Sequence, residues 1–422
     1  MLTVFEAGTT AYRDAEARLS RRGESDLNRV EPDVRAILEA VASEGDAALV
    51  RFAQKFEGRT PERLVWDRAA IVEGARVCPA DVRAMLVAAA DRIARYHQKQ
   101  VDRGFRYAEG GIELGQRVRP VRAAGVYAPG GKARYPSSVL MTAVVAQVAG
   151  VPRIVLATPR PTPEILAAAE IAGVTELLDA GGAQAIGALA HGTGSLARVD
   201  KIVGPGNLYV ACAKRLVFGL VDIDGIAGPS EILVVADDQA DPRVVAADLL
   251  SQAEHDEDAY ALLVTVSRAQ AEAVGREVAR QIAELPRRAV AEASIRDRGW
   301  AFVAGSLDEA ARMADALAAE HLSLQVRDPD ALLERIGAAG AAFLGDHTPE
   351  AAGDYAAGPS HVLPTGGAAR FSSPLGVYDF VVRTSLVRYT PSALAAQADL
   401  LEGLARLEGL EAHARAVAFR VR

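Results

Sequence analysis

Between residues 120 and 220 the apolar pattern leaves helical spacing and breaks into short β-rich runs, each followed by a turn and a helix-length stretch. Gly125-Val126-Tyr127 leads through a Gly/Pro turn into a helix predicted over 137–149. Arg153-Ile154-Val155-Leu156-Ala157 precedes a predicted helix over 163–172, and Glu176-Leu177-Leu178 one over 183–190. Lys201-Ile202-Val203 precedes another over 207–219. Four strand–turn–helix units in series predict a parallel, doubly wound sheet, because each helix must carry the chain back to the same edge. A second α/β set follows, with strands predicted at 232–235, 261–264, 301–303, 322–326 and 341–344 and helices over 242–254 and 307–319. Residues 1–110 read as mostly helical and charged, with apolar residues at helical spacing over 30–56, a break near Gly45, and the same pattern over 78–98. After Phe380 the pattern changes again, and 391–417 reads as an amphipathic helical arm. The pattern leaves open whether this arm caps its own core or is exchanged within a dimer.

A length of 422 residues corresponds to about two to three domains. The net charge of −8, with acids and arginines interspersed, argues against nucleic acid and against an anionic membrane surface. Cys78 and Cys212 form no CxxC pair, which excludes a thiolate metal cage. The opening residues carry no basic stretch followed by an apolar one, and the longest largely apolar run, 139–151, is too short to span a bilayer. These features predict a soluble, cytoplasmic protein.

Seven histidines are present, and four stand near carboxylates or amides: Gln252-Ala253-Glu254-His255, Glu320-His321, Asp354…His361 and Glu408…His413. Imidazole beside carboxylate is the equipment of divalent metal sites and of proton transfer. Gln252 and His255, three apart, share one helix face, and His255 is either a ligand or a C-terminal cap. Glu320 with His321 is either an acid–base pair or a solvated surface pair. Asp354 and His361 flank a loop of Ala, Gly, Pro and Ser that suits a metal or a polar substrate. His413 on a helix would ordinarily be a surface residue, and His97, His191 and His347 read as structural. Gly-rich turns follow the strands at Pro129-Gly130-Gly131, Gly181-Gly182 and Gly204-Pro205-Gly206-Asn207. None is a GxGxxG or P-loop fingerprint, yet three at one end of a parallel sheet are compatible with a nucleotide site as well as with plain tight turns.

Taken together these segments resemble the histidinol dehydrogenase family over nearly the whole chain. The carriers are residues 125–131, 203–207 with Ala213-Lys214-Arg215, Ala227-Gly228-Pro229-Ser230-Glu231, 250–255, Glu320-His321-Leu322, 353–365 and 408–413. The resemblance implies an NAD-dependent, zinc-containing oxidoreductase that converts L-histidinol to L-histidine through the aldehyde. It implies zinc ligands Gln252, His255, Asp354 and His413, a catalytic pair Glu320 and His321, and NAD contacts at Tyr127, Gln184 and Asn207. Substrate contacts would come from Ser230, His361 and Glu408 together with the zinc ligands and His321. It also implies a homodimer whose C-terminal tails cross, so that each site is shared. The implied fold is two incomplete Rossmann-like parallel-sheet domains with small helical terminal segments. The division would be 1–22, then 23–122 with 230–378, then 123–229, then 379–422. Cys212 departs from the small residue expected after Asn207, and no role is assigned to it. Oxidation of another alcohol such as sulfopropanediol, a zinc hydrolase using Glu320 as base, and a catalytically silent metal-binding scaffold are the competing readings.

Overall fold

The computed structural model describes residues 2–22, 27–130 and 135–421. Gly131, part of the first Gly-rich turn, lies outside them. Two six-stranded sheets and one three-stranded sheet form among the described residues.

The first sheet is built on Ala123–Tyr127, Arg153–Ala157, Glu176–Leu178, Lys201–Val203 and Asp222–Ile223, all parallel. Counted from Ala123, their spatial order is third, second, first, fourth, fifth, with Val65–Asp67 added antiparallel at one edge. Alternate residues of each strand enter opposite cores. Ala124, Val126, Ile154 and Leu156 pack with Ile93, Val139 and Leu166 on one face. Val155, Ala157, Leu178 and Ile202 pack with Val34, Leu49, Ile186 and Val210 on the other. A parallel strand is covered on both faces, which is why these runs are apolar at every position. The chain reverses its winding between Ala123–Tyr127 and Lys201–Val203, opening a crevice beyond their carboxyl ends.

Helices Leu27–Glu44, Asp46–Glu57 and Ala80–His97 pack on this first sheet. The expected division grouped residues 23–122 with 230–378; the apolar faces of these three helices enter the core of 123–223. Helical periodicity identifies which face of a helix is buried, not which sheet buries it.

The second sheet runs Thr3–Glu6, Gly299–Val303, Tyr260–Thr265, Glu231–Ala236, His321–Gln325, Ala341–Leu344, all parallel. From Glu231 it repeats the order third, second, first, fourth, fifth. The N-terminal segment, expected to be helical, begins with an edge strand of this sheet and continues into helix Thr10–Leu19. Tyr12, Ala15 and Leu19 of that helix pack on Leu233, Phe302 and Leu322. Two sheets of one order give the Rossmann-like α/β class expected.

The third sheet is antiparallel and was not foreseen. Phe105–Glu109 and Ile112–Pro120 form a hairpin through Gly110 and Gly111, whose positive φ of 57° and 83° suits a two-residue turn. Val381–Tyr389 pairs with Ile112–Pro120 and ties down the root of the C-terminal arm. The arm then forms helices Pro391–Leu407 and Glu411–Val421, broken at Gly409 with φ 74°. Leu400, Leu404, Leu407 and Phe419 of the arm are exposed in the single chain. No helix among the described residues is long and apolar enough to cross a membrane.

Candidate active site

Glu320 and His321 stand where strand His321–Gln325 begins, beside the start of strand Glu231–Ala236. Helix Leu307–Leu317 delivers them through Ala318, a non-glycine residue with φ 45°. This centre lies at the amino ends of the second sheet, not at the carboxyl ends where open α/β sheets usually bind ligands. Both residues are buried. Glu320 Oε2 accepts from the Glu231 amide at 2.8 Å, and the Glu320 amide donates to Glu231 Oε1 at 3.1 Å. His321 Nδ1 lies 3.0 Å from the Glu231 carbonyl oxygen. A carbonyl only accepts, so Nδ1 carries the proton and Nε2 presents its lone pair. That Nε2 is buried without a hydrogen-bond partner among the described residues.

His321 Nε2 faces Glu350 Oε1 at 3.6 Å and Asp354 Oδ1 at 3.9 Å. Glu350 and Asp354 are four apart on helix Glu350–Tyr355 and therefore share one face. Helix Pro242–Ala253 packs against this helix, and Ser251 Oγ donates to Glu350 Oε2 at 2.7 Å. Gln252, the next residue, is buried with an unpartnered Oε1. His255 Nε2 reaches to 4.0 Å from Asp354 Oδ2. His361 donates from Nδ1 to the Asp354 carbonyl oxygen at 3.0 Å, and its Nε2 lies 3.3 Å from Ser138 Oγ on helix Pro136–Val148. The loop at 360–361 thus joins this centre to the first sheet's helices, with Ser360 Oγ donating to the Met141 carbonyl oxygen at 2.9 Å.

Burial dominates the electrostatics. Desolvation, with Glu350 alongside, pushes Asp354 up to about 8. Asp248 is raised to about 6, by desolvation first and by Glu350 second. Glu320 is raised well above the ordinary carboxylate range by desolvation. His321 is lowered by desolvation, and His361 is pushed down to about 4 by the same cause. A crowd of buried acids and neutral imidazoles with unpartnered N and O atoms is what a divalent cation would satisfy. His321, Glu350 and Asp354 offer ligand atoms that all lie within 4.8 Å of one another.

The fold brings His255, Glu320, His321, Asp354 and His361 together, with Gln252 on the adjoining helix and Ser230 immediately before Glu231. Glu408 and His413 lie exposed on the arm, and no side-chain hydrogen bond or ion pair links them to this centre among the described residues. Glu350 escaped sequence reading. Its signal was the four-residue spacing to Asp354.

A separate cleft of about 1060 Å³ opens at the carboxyl ends of the first sheet. Tyr127, Gln184 and Asn207 line it, along with Phe56, Gly181 and Gly182. Tyr127 Oη accepts from the Gly182 amide at 3.0 Å, and burial raises its phenol. Asn207 caps helix Leu208–Val217 by accepting from the amides of Tyr209 and Val210 at 3.1 and 3.2 Å. At Gly204, φ is 120°, and a Cβ would strike the Tyr127 carbonyl, so glycine permits the close approach of the two turns. Helix Gly182–His191 begins at the cleft, where the positive end of the helix dipole favours an anion such as phosphate. Cys212 is fully buried with its Sγ 3.8 Å from the Leu27 carbonyl oxygen, outside both centres.

Fold and site define a Rossmann-like α/β protein with two parallel sheets and a buried carboxylate–imidazole pair set among metal-capable donors. The family model described as histidinol dehydrogenase matches residues 20–421. The chain is 49% identical over 404 residues to the histidinol dehydrogenase of Aquifex aeolicus, covering 95% of each. It is 50% identical over 424 residues to that of Cereibacter sphaeroides, covering 99% of this chain and 96% of the relative. The crystal structure of histidinol dehydrogenase from Elizabethkingia anophelis superposes with a TM-score of 0.93 at 32% identity, covering 100% of this chain and 98% of that one. The chain belongs to the histidinol dehydrogenase family, and so to the oxidoreductases.

Proposed function

We propose that this protein oxidises L-histidinol to L-histidine through L-histidinaldehyde, passing two hydrides in turn to NAD⁺, as the last step of histidine biosynthesis. The observation that carries the reading is the buried, unpartnered Nε2 of His321 beside Asp354 and Glu350, with the unpartnered Oε1 of Gln252 on the adjoining helix. A proton acceptor and metal-capable donors then share one centre. Gln252, His255 and Asp354, completed by His413 from a second copy, would hold one zinc ion. Bound there, the ion would supply a Lewis-acid anchor for the substrate's amine and imidazole nitrogens. Tyr127, Gln184 and Asn207 would hold the dinucleotide that accepts hydride.

The chain's own groups do the rest. His321 Nε2 takes the hydroxyl proton as hydride leaves the carbinol carbon. The Glu231 carbonyl keeps the ring in the productive tautomer and stabilises the imidazolium that forms. Glu320 takes a proton from the water that adds to the aldehyde, and the Glu231 amide at its Oε2 opposes the larger desolvation that raises this carboxyl. His321 takes a proton again in the second oxidation. Ser230, His361 and Glu408 would contact the substrate, with Glu408 and His413 supplied by the arm of a second copy in a homodimer.

The test is NADH formation with L-histidinol before and after removal of metal by a chelator. Activity is expected to vanish in the chelated protein and to return on addition of zinc. Full turnover by protein shown to be metal-free would contradict the assigned centre.

A further inference from the structure

Arg22 and Glu231 form a charge pair whose side chains are only 2% and 1% exposed. Burying two ions costs solvation, and a well-packed apolar pair is often as stable. Its placement therefore calls for a geometric reason. Glu231 touches both members of the acid–base pair. Its amide donates to Glu320 Oε2 at 2.8 Å and its carbonyl accepts from His321 Nδ1 at 3.0 Å. Its carboxylate Oε1 accepts from the amides of Glu320 and Gly366, each at 3.1 Å, and from Arg22 Nη2 at 2.9 Å. Arg22 Nε donates to Glu231 Oε2.

Arg22 is anchored in turn by two helix ends. Its Nη1 donates to the Leu19 carbonyl at 3.0 Å and its Nη2 to the Leu317 carbonyl at 2.6 Å. Those carbonyls end helices Thr10–Leu19 and Leu307–Leu317, where a cation is favoured by the helix dipole. Leu317 is followed directly by Ala318, the left-handed residue that turns the chain toward Glu320. One guanidinium thus clasps both the turn that delivers the pair and the carboxylate that holds the pair's backbone.

We propose that Arg22 and Glu231 are positioning residues that fix the rotamer of Glu320 and the tautomer of His321, a role that rests on the function proposed above. With Arg22 gone, Glu231 would be a buried charge without a counterion. It would shift or take up a proton, and the amides and imidazole it holds would move with it.

The experiment compares wild type, Arg22→Met, Arg22→Lys and the double variant Arg22→Met/Glu231→Gln. In folded Arg22→Met, kcat with L-histidinol and NAD⁺ is expected to fall by about 10- to 100-fold, as displacement by about 1 Å can cause. KM for histidinol and zinc content are expected to stay near wild type. The double variant is expected to regain turnover over Arg22→Met, because the Gln oxygen still accepts from Glu320 and no charge is left unpaired. The ¹⁵N signals of His321, assigned through His321→Asn, are expected to show one tautomer in wild type and a mixture in Arg22→Met. Lower melting temperature with wild-type kcat and a wild-type His321 signal would reduce the pair to a structural role and overturn the proposal. Should Arg22→Met not fold, Arg22→Lys carries the test, because one ammonium cannot span Glu231 and both carbonyls. Reduced kcat and an altered signal in that variant support the proposal, and wild-type values overturn it. An inactive wild type would sink the proposed function instead, while the imidazole signals would still decide the positioning role.

Discussion

Replacing His321 with Asn is expected to lower turnover by about three orders of magnitude, the scale of a lost proton acceptor in a buried site. Asparagine keeps an N–H that can donate to the Glu231 carbonyl, so the strand start should survive. It has no lone pair where Nε2 now faces Asp354 and Glu350. In the proposed mechanism both oxidations use the same nitrogen, so aldehyde oxidation should fall along with alcohol oxidation. Zinc content should stay at the wild-type level, which metal analysis of the purified variant would measure. Loss of the metal would instead make His321 a ligand. That alternative is concrete here, since its Nε2 belongs to the group of donors lying within 4.8 Å of one another.

The second large effect concerns the arm. His413 lies exposed on helix Glu411–Val421, while Leu400, Leu404, Leu407 and Phe419 present uncovered apolar surface nearby in sequence. These are side chains that the proposed exchange of arms would cover. His413→Ala is expected to weaken zinc binding and abolish most activity. If the arm of one subunit completes the site of the other, mixing inactive His321→Asn and His413→Ala proteins will generate mixed dimers. Each mixed dimer carries one site with both lesions and one intact site. Activity should therefore reappear on mixing and rise with the extent of subunit exchange. Exchange demonstrated by mass, without any recovered activity, would place His413 in the site of its own subunit.

What the sequence disclosed, and what it withheld, follows from the kinds of surface involved. Arg153–Ala157 and Lys201–Val203 were readable because parallel strands covered on both faces are apolar throughout. Val381–Tyr389 was not, since most of its residues are exposed and no apolar alternation marks it. Thr3–Glu6 is a four-residue edge strand, too short for any period to register. Within the site, the adjacency of Glu320 and His321 and the spacing of Gln252 to His255 stood out because imidazole and carboxylate are chemically conspicuous. Glu350 did not, because an acid in the first turn of a helix already has an ordinary explanation in the helix dipole. Arg22 lies in a charged stretch that reads as solvated. Only the tertiary pairing with Glu231, 209 residues away, reveals it as buried. Likewise the helices of 27–97 disclosed their apolar faces but not the sheet that receives them.

The most direct measurement is the yield of reduced dinucleotide per molecule of L-histidinol consumed by the zinc-loaded protein, with the product identified alongside. Two molecules of NADH and one of L-histidine are expected for each histidinol, with no aldehyde accumulating. A yield of one NADH with free aldehyde, or no oxidation of histidinol at all, would contradict the account.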